Sequence, residues 1–357
     1  MLRMRHGVVI LLMLVMLFAV LAPDCVTEAS TPVTGTITES ATWTGAGSPY
    51  VVSGATIAPG VTVTVAPGAT VQLADGAYGA YKSFTIAAGA ALVMPGRTLT
   101  LGTLTALDVA GTLQASGATF SNGSAAKLTV TGSADVTGAT LEFGEVGVSG
   151  TMNATGATLG GYYLGVGEGG TGILARATVT ANNQISVYGT LTALGATLTT
   201  GMVWVQSGGR FTLADGRLNG SGYFVTGSQG SLTGSDVTGT VTLTDTGPTI
   251  TGNRFTSTNP LSLPTANLAA LAHVSGNIYP ADAYLRVAGT VTTSATLSAA
   301  DGLRRYVFDI TTLAPGVTLS WDADIAVQLA DGAYGAYKSF TIAAGAALVM
   351  PGRTLTL

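Results

Sequence analysis

A glycine returns along most of this chain at steps of 18 to 22 residues: Gly68, Gly89, Gly111, Gly132, Gly150, Gly170, Gly189, Gly209, Gly227 and Gly247. The units it punctuates are alike, as "VAGTLQASGATF", "VTGSADVTGATL", "VSGTMNATGATL" and "VYGTLTALGATL" show. A period of that size belongs to solenoids and arrays, in which a unit too small to bury its own apolar face closes a core against its neighbours. Within each unit apolar residues alternate: Leu107 and Val109, Leu128 and Val130, Val146 and Val148, Ile185 and Val187. Alternation puts every second side chain on one face of a strand, and Gly, Asn, Ser and Pro separate the strands. Nothing after residue 29 keeps the period of an amphipathic helix.

Stacked about 4.8 Å apart, such units pair every strand in parallel. The expectation is an all-β, right-handed parallel β-helix (solenoid) with coils of about 20 residues, right-handed because parallel crossovers overwhelmingly are. A leucine-rich repeat shares the period but would show a Leu and Asn framework that is missing, and an antiparallel sandwich would not hold one glycine in register over ten units. Each recurring glycine has a local reason, either positive φ or close backbone approach at a tight corner.

A second, larger repeat contains the first. "VQLADGAYGAYKSFTIAAGAALVMPGRTLTL" occurs at Val71 to Leu101 and again, unchanged, at Val327 to Leu357. "GTITESATW" from Gly35 returns as "GTVTTSATL" from Gly289, and "TIAPGVTVTV" from Thr56 as "TLAPGVTLSW" from Thr312. The organisation expected is a leader over 1–29, module 1 over 30–288 and the start of a second β-helix module over 289–357. Module 1 divides into a starting cap at 35–58, coils at 59–256 and a junction at 257–288. The second copy stops where the first continues into "GTLTALDVAG", as expected of a piece of a longer array, because an uncovered strand edge is a liability.

"GTITESATWTGAGSPYVVSGATIAPGVTVTVAPGATVQL" resembles the opening of the right-handed parallel β-helix modules of large secreted bacterial proteins, which share the pectin-lyase-like architecture. "VTGTVTLTDTGPTITGNRF" and "HVSGNIYPADAYLRVAGTVT" resemble their late coils and inter-module junctions. The likeness covers essentially all of the chain after the leader and implies a fold, not an activity, since such proteins range from polysaccharide-cleaving enzymes to passive surface repeats. Pro67 and Gly68 of the first module correspond to Ala323 and Asp324 of the second.

The N-terminus runs MLRMRH, then apolar residues from Gly7 to Ala22, then PDCVTEAS, the order of a secretory signal. Cleavage after Ala29, with Thr27 three back, fits better than after Ala22, which Pro23 follows. The apolar stretch is short for a spanning helix, which needs about 20 residues. Cys25 is the only cysteine, so the exported chain has no internal disulfide; Asp24 before it is a poor match to lipoprotein processing. The expected location is extracellular or at the cell surface, with a membrane involved only through the leader or an anchor beyond Leu357.

Charged residues make up only 9% of the chain and the net charge is -4. No basic cluster is available to neutralise a run of phosphates, so nucleic acid is not an expected partner. Polysaccharide cleavage needs a cluster of acids and bases. The nearest approach is Glu142 and Glu145 in one coil and Glu168 in the next, read as solvated turn residues with no cation beside them. His273 is the only histidine after the leader, His6 being within it, so no histidine metal site or triad is expected. No catalytic residue, metal or cofactor is therefore assigned. Asn122, Asn153 and Asn219 stand in glycosylation sequons.

Aligning the coils puts Thr119, Thr140, Thr158, Thr178 and Thr197, then Arg217, Asp236 and Arg254, at one outward position. This reads as a stacking ladder. It lacks the double Thr column an ice-binding face would need, which only Thr178 with Thr180 and Thr197 with Thr199 supply. If Val187, Val205 and Val225 face inward, Trp204 and Phe224 point outward on adjacent coils with Tyr188 diagonally below, an aromatic platform for a sugar ring or a partner surface. The function expected is a secreted or surface-exposed structural or adhesive β-helix repeat protein without catalysis, whose partners are glycans or other cell-surface components. The alternative is a carbohydrate-binding or polysaccharide-degrading protein, a lyase or glycosidase.

Overall fold

A computed structural model of the chain describes residues 30–78, 80–331, 338–350 and 355–356. The leader, with His6, Cys25 and both cleavage points, lies outside them. The described chain is a parallel β-solenoid with almost no helix. One coil shows the plan. Thr112–Gln114 forms the first side, the chain turns, Thr119–Ser121 forms the second, and after a wider corner Lys127–Val130 forms the third. The first sides stack into a 12-stranded parallel sheet, while the second and third sides belong to a 23-stranded one. They merge there because long strands such as Thr158–Val166 and Thr178–Val187 run around the corner between them, with a register shift after Gly161.

Alternation places the core as expected. Leu107, Leu128, Val146, Leu164, Ile185 and Val203 pair rung by rung, and all are buried. The threonine and charge ladder is also present: Thr119, Thr140, Thr158, Thr178, Thr197, Arg217, Asp236 and Arg254 are consecutive register partners.

The glycine column is narrower than the counting implies. Gly111, Gly132, Gly150, Gly170, Gly189 and Gly209 each precede a paired first-side strand. Gly89 and Gly227 fall one place before this position, Gly247 one place after, and Gly68 at another corner. Coil lengths vary at the corners, so glycines counted by spacing slip out of register. The cause is close approach, not backbone sign. At this corner two successive amides converge on one carbonyl of the coil below, as Ser149 and Gly150 do on Val130 at 2.8 and 2.9 Å. That draws the backbone down until a Cβ at Gly150 would lie 2.1 Å from the Gly132 oxygen. Positive φ is used at the corner between the first and second sides, where Gly117, Gly138 and Gly156 all take it and Arg176 and Asp215 take it without being glycine.

The larger repeat also has a structural counterpart. Thr31–Ile37 pairs with Tyr50–Ile57 through a shift after Val33, and Leu285–Val291 pairs with Arg305–Leu313 through the matching shift after Val287. By this correspondence the second module opens at Leu285, four residues before the expected start at 289, and its opening strand is not an edge, because Leu261–Leu263 of the preceding module pairs beneath it. The long sheet therefore passes through the module boundary. The first-side sheet does not: it ends at Val274–Ser275, and a separate three-stranded sheet begins at Ala295–Leu297.

One parity expectation fails. Val187 and Val205 are inward, but Val205 pairs with Phe224, not with Val225. Phe224 is accordingly buried at 1% exposure, with its ring 6.5 Å from Phe211, and Val225 is half-buried. This coil is one residue shorter than the spacing of the valines suggests, and it puts the larger apolar side chain where the core has room for it.

Candidate functional site

With Phe224 inward, the outward aromatic beside Trp204 on the third side is Tyr223, its register partner. Their rings meet edge to face at 6.0 Å, so Trp204 does not offer a flat open face, and its Nε1 is buried without a hydrogen-bond partner. Tyr188 is exposed but follows the paired strand residues Ser186 and Val187, at the next corner. The structure brings together Trp204 and Tyr223, and sets Tyr188 and Phe224 apart from them.

The three glutamates are likewise separated. Glu145 pairs in register with Lys127 below and Tyr163 above, and its Oε2 lies 2.8 Å from the Lys127 ammonium. The cation thought to be missing lies one coil beneath it. That hydrogen bond holds the Lys127 ammonium above the ordinary lysine range, against the opposing effect of its burial. Glu142 points elsewhere, its Oε2 accepting the Asn122 amide of the coil below at 3.1 Å. Glu168 lies exposed in the turn between Thr158–Val166 and Thr171–Ile173.

A more concave surface surrounds this ion pair. One column at the margin of the third side runs Lys82, Thr105, Ala126, Gly144 and Tyr162, by continuation of the registers on either side. Tyr81 closes its lower end and Tyr162 its upper end, while Ala126 and Gly144 leave the floor between them bare. Four rung steps make this trough about 19 Å long. The space beside Tyr81, Lys127, Glu145 and Tyr162 measures about 450 Å³. A second hollow of about 600 Å³ continues past Tyr162 toward Glu142, Gly160 and Asn182.

The chain builds these walls locally. Between Val71–Leu73 and Lys82–Ile86 it leaves the coil as a short loop closed by the antiparallel bridge Ala77 to Ala80. Tyr78 is fully exposed on that loop, and Tyr81 is 44% exposed at its base. The Lys127 ammonium sits 5.5 Å over the Tyr81 ring, so Tyr81, Lys127 and Glu145 form a fixed stack. Tyr162 is 60% exposed and anchored by its amide to the Gly144 carbonyl at 3.0 Å. Asn122 adopts φ 64, a left-handed conformation costing about 1 kcal/mol, and its amide faces the Glu142 carboxylate.

Sequence reasoning missed this trough, although Lys127 and Glu145 stand one coil step apart. Elsewhere, a cleft of about 690 Å³ where the first-side sheet is interrupted is lined by Thr226, Thr244, Thr265 and Thr293 and carries no charge. Among the described residues no group of three or more His, Cys, Asp or Glu is placed to hold a metal ion.

No family model matches the chain, and no curated protein matches it. Among solved structures it is similar to the TibC-catalysed hyper-glycosylated fragment of TibA, at 16% identity over 92% of this chain and 94% of that one, with a TM-score of 0.20. At that score the likeness carries no argument about this chain.

Proposed function

We propose that the chain is a surface-exposed, non-catalytic β-solenoid whose modules stack into one column and present side-chain patches and loops along it. The observation that carries this reading is the pairing of Leu261, Ser262 and Leu263 with Leu285, Arg286 and Val287 across the module boundary. A linker there would let the modules turn independently; a shared sheet makes them one body. About 15 turns at about 4.8 Å each give a rod about 70 Å long. The sequence order of a secretory signal supports placing that rod outside the cell, and the Tyr78 loop and the trough supply surfaces for adhesion.

The ionisable groups of the trough fit holding better than cleaving. An acid and base pair needs two groups with separated affinities for protons, facing one bond. Glu145 is instead neutralised by Lys127, and Glu142 is engaged by a backbone amide. Incubation of the purified chain with pectin, alginate and glycosaminoglycans should yield neither unsaturated products nor new reducing ends. Turnover that disappears in Glu142→Gln or Glu145→Gln would replace this reading with a polysaccharide-degrading one.

A further inference from the structure

We infer that the trough between Tyr81 and Tyr162 is a binding site for a neutral oligosaccharide of several hexose units. The inference rests on the non-catalytic reading and specifies what the column holds. Two half- to mostly exposed tyrosines stand at the ends of a floor made by the buried Thr105, Ala126 and the side-chain-free Gly144, so a flat chain of rings can lie along the coil axis and stack on an aromatic at each end. Beyond Tyr162 the second hollow offers Asn182 and the Glu142 carboxylate as hydrogen-bonding groups for hydroxyls.

Gly160 is the telling residue of that hollow. It pairs outward between Glu142 and Thr180, its φ is ordinary, and a Cβ there would approach nothing closer than the Leu141 oxygen at 3.9 Å. Neither backbone conformation nor packing calls for glycine at this position. Its neighbour Gly161 differs, since a Cβ there would meet the Phe143 oxygen at 2.0 Å. The bare surface at Gly160 keeps the hollow open.

Charge selects the class of sugar. Lys127 is already tied to Glu145, and the exposed Lys82 at the lower end offsets the Glu142 carboxylate near the upper end, so the trough carries no net charge and has no cluster of free cations to hold uronates or sulfates. A peptide is a poorer fit, because strand addition requires an unpaired sheet edge and the strands flanking the trough, Lys127–Val130 and Glu145–Val148, are paired on both sides.

Titration calorimetry of the whole chain with cello-, malto-, laminari- and mannotetraose, and with tetragalacturonate, tests this. At least one neutral tetrasaccharide should bind, tetragalacturonate should not, and raising the salt should leave the neutral affinity unchanged. Tyr162→Ala should weaken binding on the order of tenfold or more. Gly160→Leu should abolish it while Gly147→Leu, at an equally open outward glycine, leaves it intact, all three variants keeping the wild-type thermal midpoint. A preference for tetragalacturonate, absence of binding by every neutral tetrasaccharide, or wild-type affinity in Tyr162→Ala would overturn the inference and leave the scaffold reading standing. Cleavage of a bound tetrasaccharide would overturn the scaffold reading instead.

Discussion

Three glycines within ten residues allow the packing argument to be tested against itself. At Gly150 the backbone angle is ordinary, but an added Cβ would sit 2.1 Å from the Gly132 oxygen and 2.5 Å from the Thr131 oxygen, both backbone atoms of the coil below. Ordinary contact starts near 3.4 Å, so Gly150→Ala must lift the corner by about 1 Å. Overpacking of that kind costs about 1–3 kcal/mol. The lift also strains the bonds from Ser149 and Gly150 to Val130 and from Thr151 to Gly132, at about 1 kcal/mol for each one lost. The expected total is about 3–5 kcal/mol. Gly147 lies in the same coil with an ordinary backbone angle and nothing within 4 Å, so Gly147→Ala should be neutral or stabilising by about 0.5 kcal/mol, as glycine is a poor strand residue. Gly156 has open space but φ +67, so Gly156→Ala should cost about 1–2 kcal/mol through the backbone alone. Long solenoids open segment by segment, so the measurement is amide hydrogen exchange over residues 128–153, with urea midpoints as a global check. Equal effects at Gly147 and Gly150, or a milder effect at Gly150 than at Gly156, would refute close approach as the reason for the glycine column.

Two further outcomes follow from the buried polar groups. Asn253 is fully buried; its Nδ2 donates to the Leu232 carbonyl and to Asn277 Oδ1, and its Oδ1 accepts the Ser235 amide. Asn253→Ala should therefore destabilise by about 3 kcal/mol in urea titration, whereas Asn219→Ala, which removes an exposed bond to Thr199, should stay within about 0.5 kcal/mol. Asp309, 7% exposed, pairs with Arg286 of the coil below and with Lys338 above. Burial alone would raise its carboxyl, but the two cations outweigh burial and hold it below the usual carboxylate range. A depressed folded value contributes stability that is present above the unfolded aspartate value of about 3.9 and is lost as pH falls through the folded one. The start of the second module should thus show an acid-labile step in hydrogen exchange below about pH 4, absent in Asp309→Asn. That variant should already be destabilised at pH 7 by about 3 kcal/mol, near the low end for a broken buried pair because Arg286 is partly exposed.

Different parts of this structure were legible in the sequence to different degrees, for physical reasons. The core was readable because burial follows a period of two inside each strand, so Leu107, Leu128 and Val146 declare their side without knowledge of the fold. The ladder from Thr119 to Arg254 was readable because one letter recurs at one coil position. Phe224 was misassigned because "YFVTG" presents three consecutive apolar residues; parity there depends on the length of the preceding corner, which no local pattern fixes. The same uncertainty of corner length scattered four of the ten counted glycines out of their column. Lys127 beneath Glu145 was within reach of the coil step alone. The trough was not, since Tyr81 and Tyr162 lie four coils apart and become neighbours only through the small residues stacked between them.

The scarcity of charge, read first as a limit on chemistry, takes on another meaning in the structure. A β-solenoid needs no charge in its interior, and among the described residues the ion pairs join side chains on neighbouring coils: Lys127 with Glu145, Asp236 with Arg254, Arg304 with Asp324, and Asp309 with both its cations. The most buried carboxylate of these stands at the opening of the second module. Positions equivalent to Arg286 and Asp309 in the first module carry Pro32 and Ser53. Pro32 has no amide to offer a strand beneath it, while at the junction Arg286 stands in register above Ser262. Two modules nearly identical over long stretches therefore differ at the opening strand, which in the second stacks on Leu261–Leu263. Arg286 stands on that contact and holds Asp309 one coil above it, so this departure lies where a column built from copies has to specify its order.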